Sequence, residues 1–288
     1  MLRKAVLLLL LTIPFTGLRA QFLMDMVDTT TDMGKSMLGI YKKFDHIRIS
    51  GYMQPQFQAA QAKGLKNFSG GDFPANSSNR FMLRRGRVRF DYIHFAKQKG
   101  PSVQFVFQFD GTERGVAIRD FWGRILENKY GVFALSVGMF ARPFSYELNL
   151  SSSDRESPER GRMSQILMKT ERDLGAMISF EPRKKDHPLR FLKIDAGLFN
   201  GQGLAATADF DSHKDFISRI ALKPYPLSKK IILSAGASYL NGGFFQNTKY
   251  VYRTGNNNFG KTYIVDSTTT NMGKIAPRKY YGADVQLK

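Results

Sequence analysis

From His46 onward the sequence alternates, with Ile47, Ile49, Gly51, Met53, Pro55 and Phe57 on odd positions and Arg48, Ser50, Tyr52, Gln54, Gln56 and Gln58 on even ones. A period of two sends successive side chains to opposite faces of a β-strand, so one face here is apolar and the other polar. The pattern returns in SVQFVFQFD, where Val103, Phe105, Phe107 and Phe109 oppose Gln104, Gln108 and Asp110. Further candidate strands cover 116–126, 131–141, 173–180, 190–199, 215–223, 231–240 and 279–288, for about ten strands in all. Most have one apolar face, such as Phe133, Leu135, Val137 and Met139, or Tyr281, Ala283, Val285 and Leu287. The other faces carry small or charged groups, among them Ser136, Lys193, Asp195, Arg219 and Lys223. Segments of about ten residues with this repeat are the signature of transmembrane barrel strands. The expected fold is therefore all-β, a transmembrane antiparallel β-barrel, with a soluble all-β protein as the alternative.

The links between candidate strands bear on that choice. Those at 61–78, 142–171, 200–214 and 241–278 are long, polar and rich in Gly, Asn and Ser, whereas AKQKGP, ENKY, PRKKDHP and PYPLSK are short. Long and short alternate, with one exception at GTER beside Gly111. Outer-membrane barrels alternate in this way because turns at one end are tight and loops at the other are long. The last candidate strand runs to the final residue, ADVQLK, and an open strand edge in lipid leaves costly unpaired backbone groups, so the expectation is a barrel whose remaining strands lie beyond this sequence.

The N-terminus predicts export. Arg3 and Lys4 precede the apolar run from Ala5 to Phe15, and TGLRA ends in a small residue before Gln21. This is the pattern of a signal peptide over residues 1–20, cleaved near Ala20. The apolar run is too short to cross a bilayer, which needs ~20 helical residues. Residues 21–45 are expected to form an N-terminal periplasmic segment with a short helix, and 46–288 the barrel domain. The chain has no cysteine, which excludes disulfides and thiolate chemistry. Its formal charge of +19 suits an anionic ligand, an anionic membrane or nucleic acid. The signal peptide and the lipid-like strand faces speak against nucleic acid. His46, His94, His187 and His213 show no metal-ligand spacing, no cofactor motif is present, and GQG at 201–203 lacks the lysine of a phosphate loop.

The stretch LRRGRVRFDYIHF sets Arg85, Arg87, Arg89 and Asp91 against Gly86, Val88, Phe90 and Tyr92. An arginine facing lipid near the midplane costs about 2–4 kcal/mol, so the apolar set faces outward and the arginines face the lumen, about 6.8 Å apart along the strand. A guanidinium stays charged and offers planar donors to phosphate or carboxylate oxygens, so successive arginines could pass an anion along. Arg48, Arg119 and Arg219 join this candidate path from other strands. The bland alternative is charge pairing with Asp91, Asp110 or Asp120 across the wall. It is opposed by the basic excess, which would leave many arginines without an acidic partner. Tyr52, Tyr92, Trp122, Tyr130 and Tyr146 are candidates for aromatic girdles.

In its ordered segments the chain resembles the phosphate-selective porin O and P family of outer-membrane proteins. The residues carrying the resemblance are ISGYMQPQF, FMLRRGRVRFDY and VGMFARPFSYE, followed in order by ERDLGAMISF, GLFNGQG, KDFISRIALKP and LSAGASYLNGG. The resemblance implies a 16-stranded barrel in the bacterial outer membrane, assembled as a homotrimer. It also implies passive diffusion of anions such as phosphate or polyphosphate through a pore narrowed by an inward-folded loop. By resemblance the loop containing SSSDRESPERGRM folds inward, which would bring Arg142, Arg155, Arg160 and Arg162 to the constriction; surface pairing with Asp154, Glu156 and Glu159 is the alternative. Two other functions remain open. One is a structural or adhesive barrel. The other is a barrel lipid hydrolase, for which Ser50, Ser136 and His94 exist without a spacing that joins them.

Overall fold

The computed structural model describes residues 46–67, 69–96, 100–157, 159–204 and 209–288. The expected signal peptide and the segment 21–45 lie outside the described residues. From Ile47 the chain is a meander of long antiparallel strands: β1 (Ile47–Ala59), β2 (Asn79–Ala96), β3 (Gly100–Thr112), β4 (Gly115–Leu126) and β5 (Phe133–Ala141). It continues through β6 (Arg172–Phe180), β7 (Leu192–Phe199), β8 (Asp215–Pro226) and β9 (Ile232–Phe245). A separate hairpin of β10 (Val251–Asn257) and β11 (Gly260–Asp266) precedes β12 (Ile275–Leu287), which pairs with β9. The main sheet thus has ten strands, and the hairpin in the last long link adds two that the alternation did not reveal. The sheet is not closed, since β1 and β12 stand at its two ends.

Each strand of the main sheet keeps one apolar face turned away from the protein. Met53 on β1, Phe105 on β3, Val137 on β5, Ile178 on β6 and Val285 on β12 are all exposed, and Phe81 retains 86% of its surface. Soluble monomers rarely expose apolar patches beyond a few hundred Å². An apolar face that continues across ten strands of roughly membrane-spanning length defines an antiparallel sheet of the transmembrane barrel type. Long links leave from one end of the sheet and short ones from the other, apart from the tight β3–β4 turn.

The packed core lies on the opposite, inner face. The β5–β6 link carries two short helices, α1 (Tyr146–Asn149) and α2 (Arg162–Leu167), and folds back over that face. Its Phe144, Leu148 and Met168 pack with Phe140, Met177, Phe199, Ile217 and Leu240 from five successive strands, β5 to β9. Trp122 and Tyr280 extend the cluster to β4 and β12. Trp122 is therefore a core residue. Tyr52 also faces inward, with its hydroxyl 2.6 Å from Ser152 Oγ, and Tyr146 belongs to α1, so these three do not form a girdle.

Two β-bulges decide which charges face inward. Between β1 and β2, Gln54 pairs with Arg85 but Pro55 pairs with Leu83, leaving Arg84 as the extra residue. Between β3 and β4, Gln108 pairs with Asp120 but Phe109 pairs with Ile118, leaving Arg119 extra. A bulge shifts the side-chain alternation by one position, so two consecutive residues share a face. Arg84 and Arg85 both turn inward, as do Arg119 and Asp120.

Candidate functional site

The inner face of β1 to β4 is a lattice of charges built by strand register. Arg85 stands opposite Gln54 and donates to its Oε1 at 2.9 Å, while its Nη2 lies 3.0 Å from Glu159 Oε2 of the folded-back loop. Arg84 meets the same carboxylate at 2.5 Å and 3.0 Å. Arg87 stands between Tyr52 on β1 and Asp110 on β3. It donates to Tyr52 Oη at 2.6 Å and to Ser152 Oγ at 2.5 Å, and its Nε is 3.3 Å from Asp110. Arg89 forms a two-pronged pair with Asp91, two residues on along the same face, at 2.7 and 2.8 Å.

Arg119 reaches Glu171 and, at 3.5 Å, Asp110. Arg219 on β8 makes a two-pronged pair with Asp284 on β12 at 2.6 and 2.8 Å. A methyl at Gly236 would come within 2.3 Å of its Nη2, so this position leaves the space the guanidinium fills. Arg48 lies opposite Asp91 in the register, is exposed, and has no ion pair among the described residues.

Five of the six arginines assigned to the wall path thus carry a carboxylate, which corrects the expectation that the basic excess leaves them without partners. Asp91 and Asp110 do serve as wall partners, and Asp120 pairs with Arg172 at 2.8 Å. The excess charge sits partly elsewhere, on exposed lysines of the short links, including Lys129, Lys184, Lys185, Lys229 and Lys230.

In the loop, Arg155 and Arg160 do not pair with Asp154, Glu156 or Glu159 but with Glu171, at 3.2 and 3.0 Å. Arg172 adds a contact at 2.7 Å, so with Arg119 four guanidiniums surround this one carboxylate. Burial alone would raise the Glu171 pKa, but the four cations overcome it and lower the value to about 2. Arg160 moves in the other direction from its ordinary value, because burial lowers it more than Glu171 raises it. Arg142 is buried at the root of the loop, 3.9 Å from Asp173 and donating to the Thr170 carbonyl. Only 2% exposed, it holds the loop rather than facing an opening. Arg162 opens α2 and is exposed.

Two cavities flank this lattice. One of about 490 Å³ is bordered by Arg84, Arg85, Arg87, Arg119, Arg160 and Lys169 against the three carboxylates Asp110, Glu159 and Glu171. The other, about 260 Å³, again has six basic side chains against three carboxylates, and it contains Arg124. Arg124 Nε donates to Ser136 Oγ at 2.8 Å and its guanidinium lies over the Trp122 ring at 5.1 Å, with no ion pair among the described residues. Ser136, one candidate for a hydrolase nucleophile, is thus taken up by this arginine.

The reading of the sequence missed Arg84 and Arg124 for one reason. Placing Arg85 and Arg119 inward in regular strands sends Arg84 and Arg124 outward, and only the bulges reconcile them. Arg172 and the carboxylates Glu159 and Glu171 had no local signal, since their roles come from a loop crossing the sheet.

Fold and site together define a class: a transmembrane-type antiparallel β-sheet whose inner face is basic, charge-paired and covered by an inward loop. No family model and no curated protein matches the chain. Among solved structures it is similar to a double mutant of a Rhodobacter blastica porin, at 12% identity over 71% of each chain with a TM-score of 0.34. It is also similar to one described as asymmetric conductivity of engineered proteins, at 10% identity over 72% of each chain with a TM-score of 0.37. At that distance the likeness carries no argument about the site.

Proposed function

We propose that the chain forms an outer-membrane channel through which small anions pass by diffusion, with phosphate or polyphosphate the leading substrate and a homotrimer the assembly. The observation that carries the reading is the surplus of cations in both inner cavities, six basic groups to three acidic in each. The loop packed on the inner face narrows the passage, and low-dielectric walls on either side sharpen the field of that surplus. Paired arginines retain donors for a passing anion, and rows of such sites give binding strong enough to attract and weak enough to release. Phosphate, rather than any anion, enters through the family resemblance and the planar donor geometry of guanidinium.

A planar-bilayer reversal potential under a salt gradient, with and without phosphate, tests the proposal. An anion-selective potential and block of chloride current by phosphate are expected, with Arg85, Arg87 and Arg89 changed together to glutamate reversing or abolishing the preference. Cation selectivity would sink it. A second reading, a structural or adhesive barrel with little conduction, draws on the apolar packing of the loop across five strands. Absence of current from well-folded protein would favour it.

A further inference from the structure

The two loop-associated carboxylates occupy donor sets of the kind an oxyanion uses. Glu171 receives two guanidiniums on each oxygen: Arg119 and Arg172 on Oε2, Arg155 and Arg160 on Oε1. Glu159 is gripped by Arg84 and Arg85. Asp110 and Asp120 share Arg119 and Arg172 with Glu171, so these four guanidiniums still face only three carboxylates, and the buried Nε groups of Arg119 and Arg155 donate to nothing among the described residues. Asp110 Oδ1 is likewise buried without a donor, so this lattice is left with donors and an acceptor to spare. The cavity of about 490 Å³ opens directly on both carboxylates. Arg84, Arg85, Arg119 and Arg172 come from the wall strands β2, β4 and β6, whereas Glu159, Arg155 and Arg160 belong to the loop. Glu159 and Glu171 therefore tie the loop to the wall through groups that a mobile anion would also seek.

We propose that Glu159 and Glu171 are resident anions, tethered carboxylates that hold the guanidinium sites of the cavity until a small multivalent oxyanion such as phosphate displaces them and unseats the loop. The inference rests on the channel reading and adds to it a competition between loop seating and anion occupancy. Screening and displacement are separable: chloride at matched ionic strength screens exposed charges equally but cannot bridge two guanidiniums as an oxyanion does.

The chain has no cysteine, so a single thiol reports on the loop. Ser152 is buried against Tyr52 and Arg87, and Ser152→Cys places a thiol where maleimide reaches it only when the loop lifts. In vesicles carrying the full chain, maleimide labelling is expected to accelerate about tenfold in phosphate over chloride of equal ionic strength. Equal rates in the two salts would overturn the proposal. In bilayers, Glu159→Gln is expected to lower the phosphate concentration that half-blocks chloride current by about tenfold, and Glu171→Gln to lower it further. Exposed Glu156→Gln should leave it unchanged. Unchanged half-block in Glu159→Gln, in a channel that stays anion-selective, overturns the tethered-anion idea alone; cation selectivity of the unaltered protein overturns the channel reading beneath it. Should Glu171→Gln fail to fold, Glu159→Gln and the thiol assay still decide.

Discussion

Among the inner arginines, Arg124 differs in chemistry rather than position. Its neighbours are a serine hydroxyl and an indole, where Arg219 has a carboxylate at 2.6 Å. Removing one partner of a half-buried pair strands the other, a loss of about 3–5 kcal/mol for fully buried pairs and less where water reaches. Arg219→Ala should therefore destabilise the protein by about 2–3 kcal/mol in urea unfolding from vesicles. Arg124→Ala should leave the urea midpoint nearly unchanged but weaken anion preference in the reversal potential. Equal destabilisation by both would show that Arg124 is a structural group as well. Glu171 adds a pH dependence. Its native pKa of about 2 lies below the ordinary 4.5, so the native state releases this proton more readily than the unfolded chain. The stabilisation is complete above about pH 5 and drains away as pH falls towards 2, amounting to on the order of 3 kcal/mol. Glu171→Gln should flatten the urea midpoint between those pH values, whereas an unaltered slope would assign the acid sensitivity to other carboxylates.

At the scale of elements, the bulges at Arg84 and Arg119 are what the alternation rule could not anticipate. The rule placed β1, β5, β7 and the end of β12 with their faces correctly assigned, because those strands run without interruption. It found Arg85, Arg87 and Arg89 on one face because they lie beyond the bulge in β2. Neither bulge leaves a distinctive mark in polarity: Arg84 is followed by another arginine, and Arg119 sits between an apolar and a charged residue as in a regular alternating strand. The hairpin of β10 and β11 escaped for a related reason: it stands outside the sheet, with Tyr252 and Tyr263 both exposed, so no half-buried face organises its sequence. The loop's partners were illegible because ion pairs such as Arg85 with Glu159 join residues far apart in the chain. Deleting Arg119 should turn the outward face of one half of β4 inward and prevent folding into vesicles, seen as loss of the heat-modifiable band in gel electrophoresis. Arg119→Ala keeps the residue count and should still fold.

For the whole molecule, the decisive arrangement is an apolar outer face on every strand of the main sheet. Val137→Lys, at the middle of β5, should cost about 2–4 kcal/mol when folding into vesicles is measured against urea. The same change at Ser136, on the inner face, should cost through packing instead and would alter the cavity beside Arg124. A loss confined to Ser136→Lys, with Val137→Lys neutral, would contradict the assignment of faces.

The loop between β5 and β6 touches the wall in two unlike ways. Along β5 to β9 it is seated by Phe144, Leu148 and Met168 in an apolar bed, and along β1 to β4 by carboxylates, a serine and guanidiniums. Mechanically this is a greased hinge with an ionic latch. Because the latch pairs are largely buried, simple salt screens them little, whereas cooling weakens the apolar hinge more than the latch. Lifted by the oxyanion displacement proposed above, a flap so mounted would pivot on its apolar side and expose the arginines of β2.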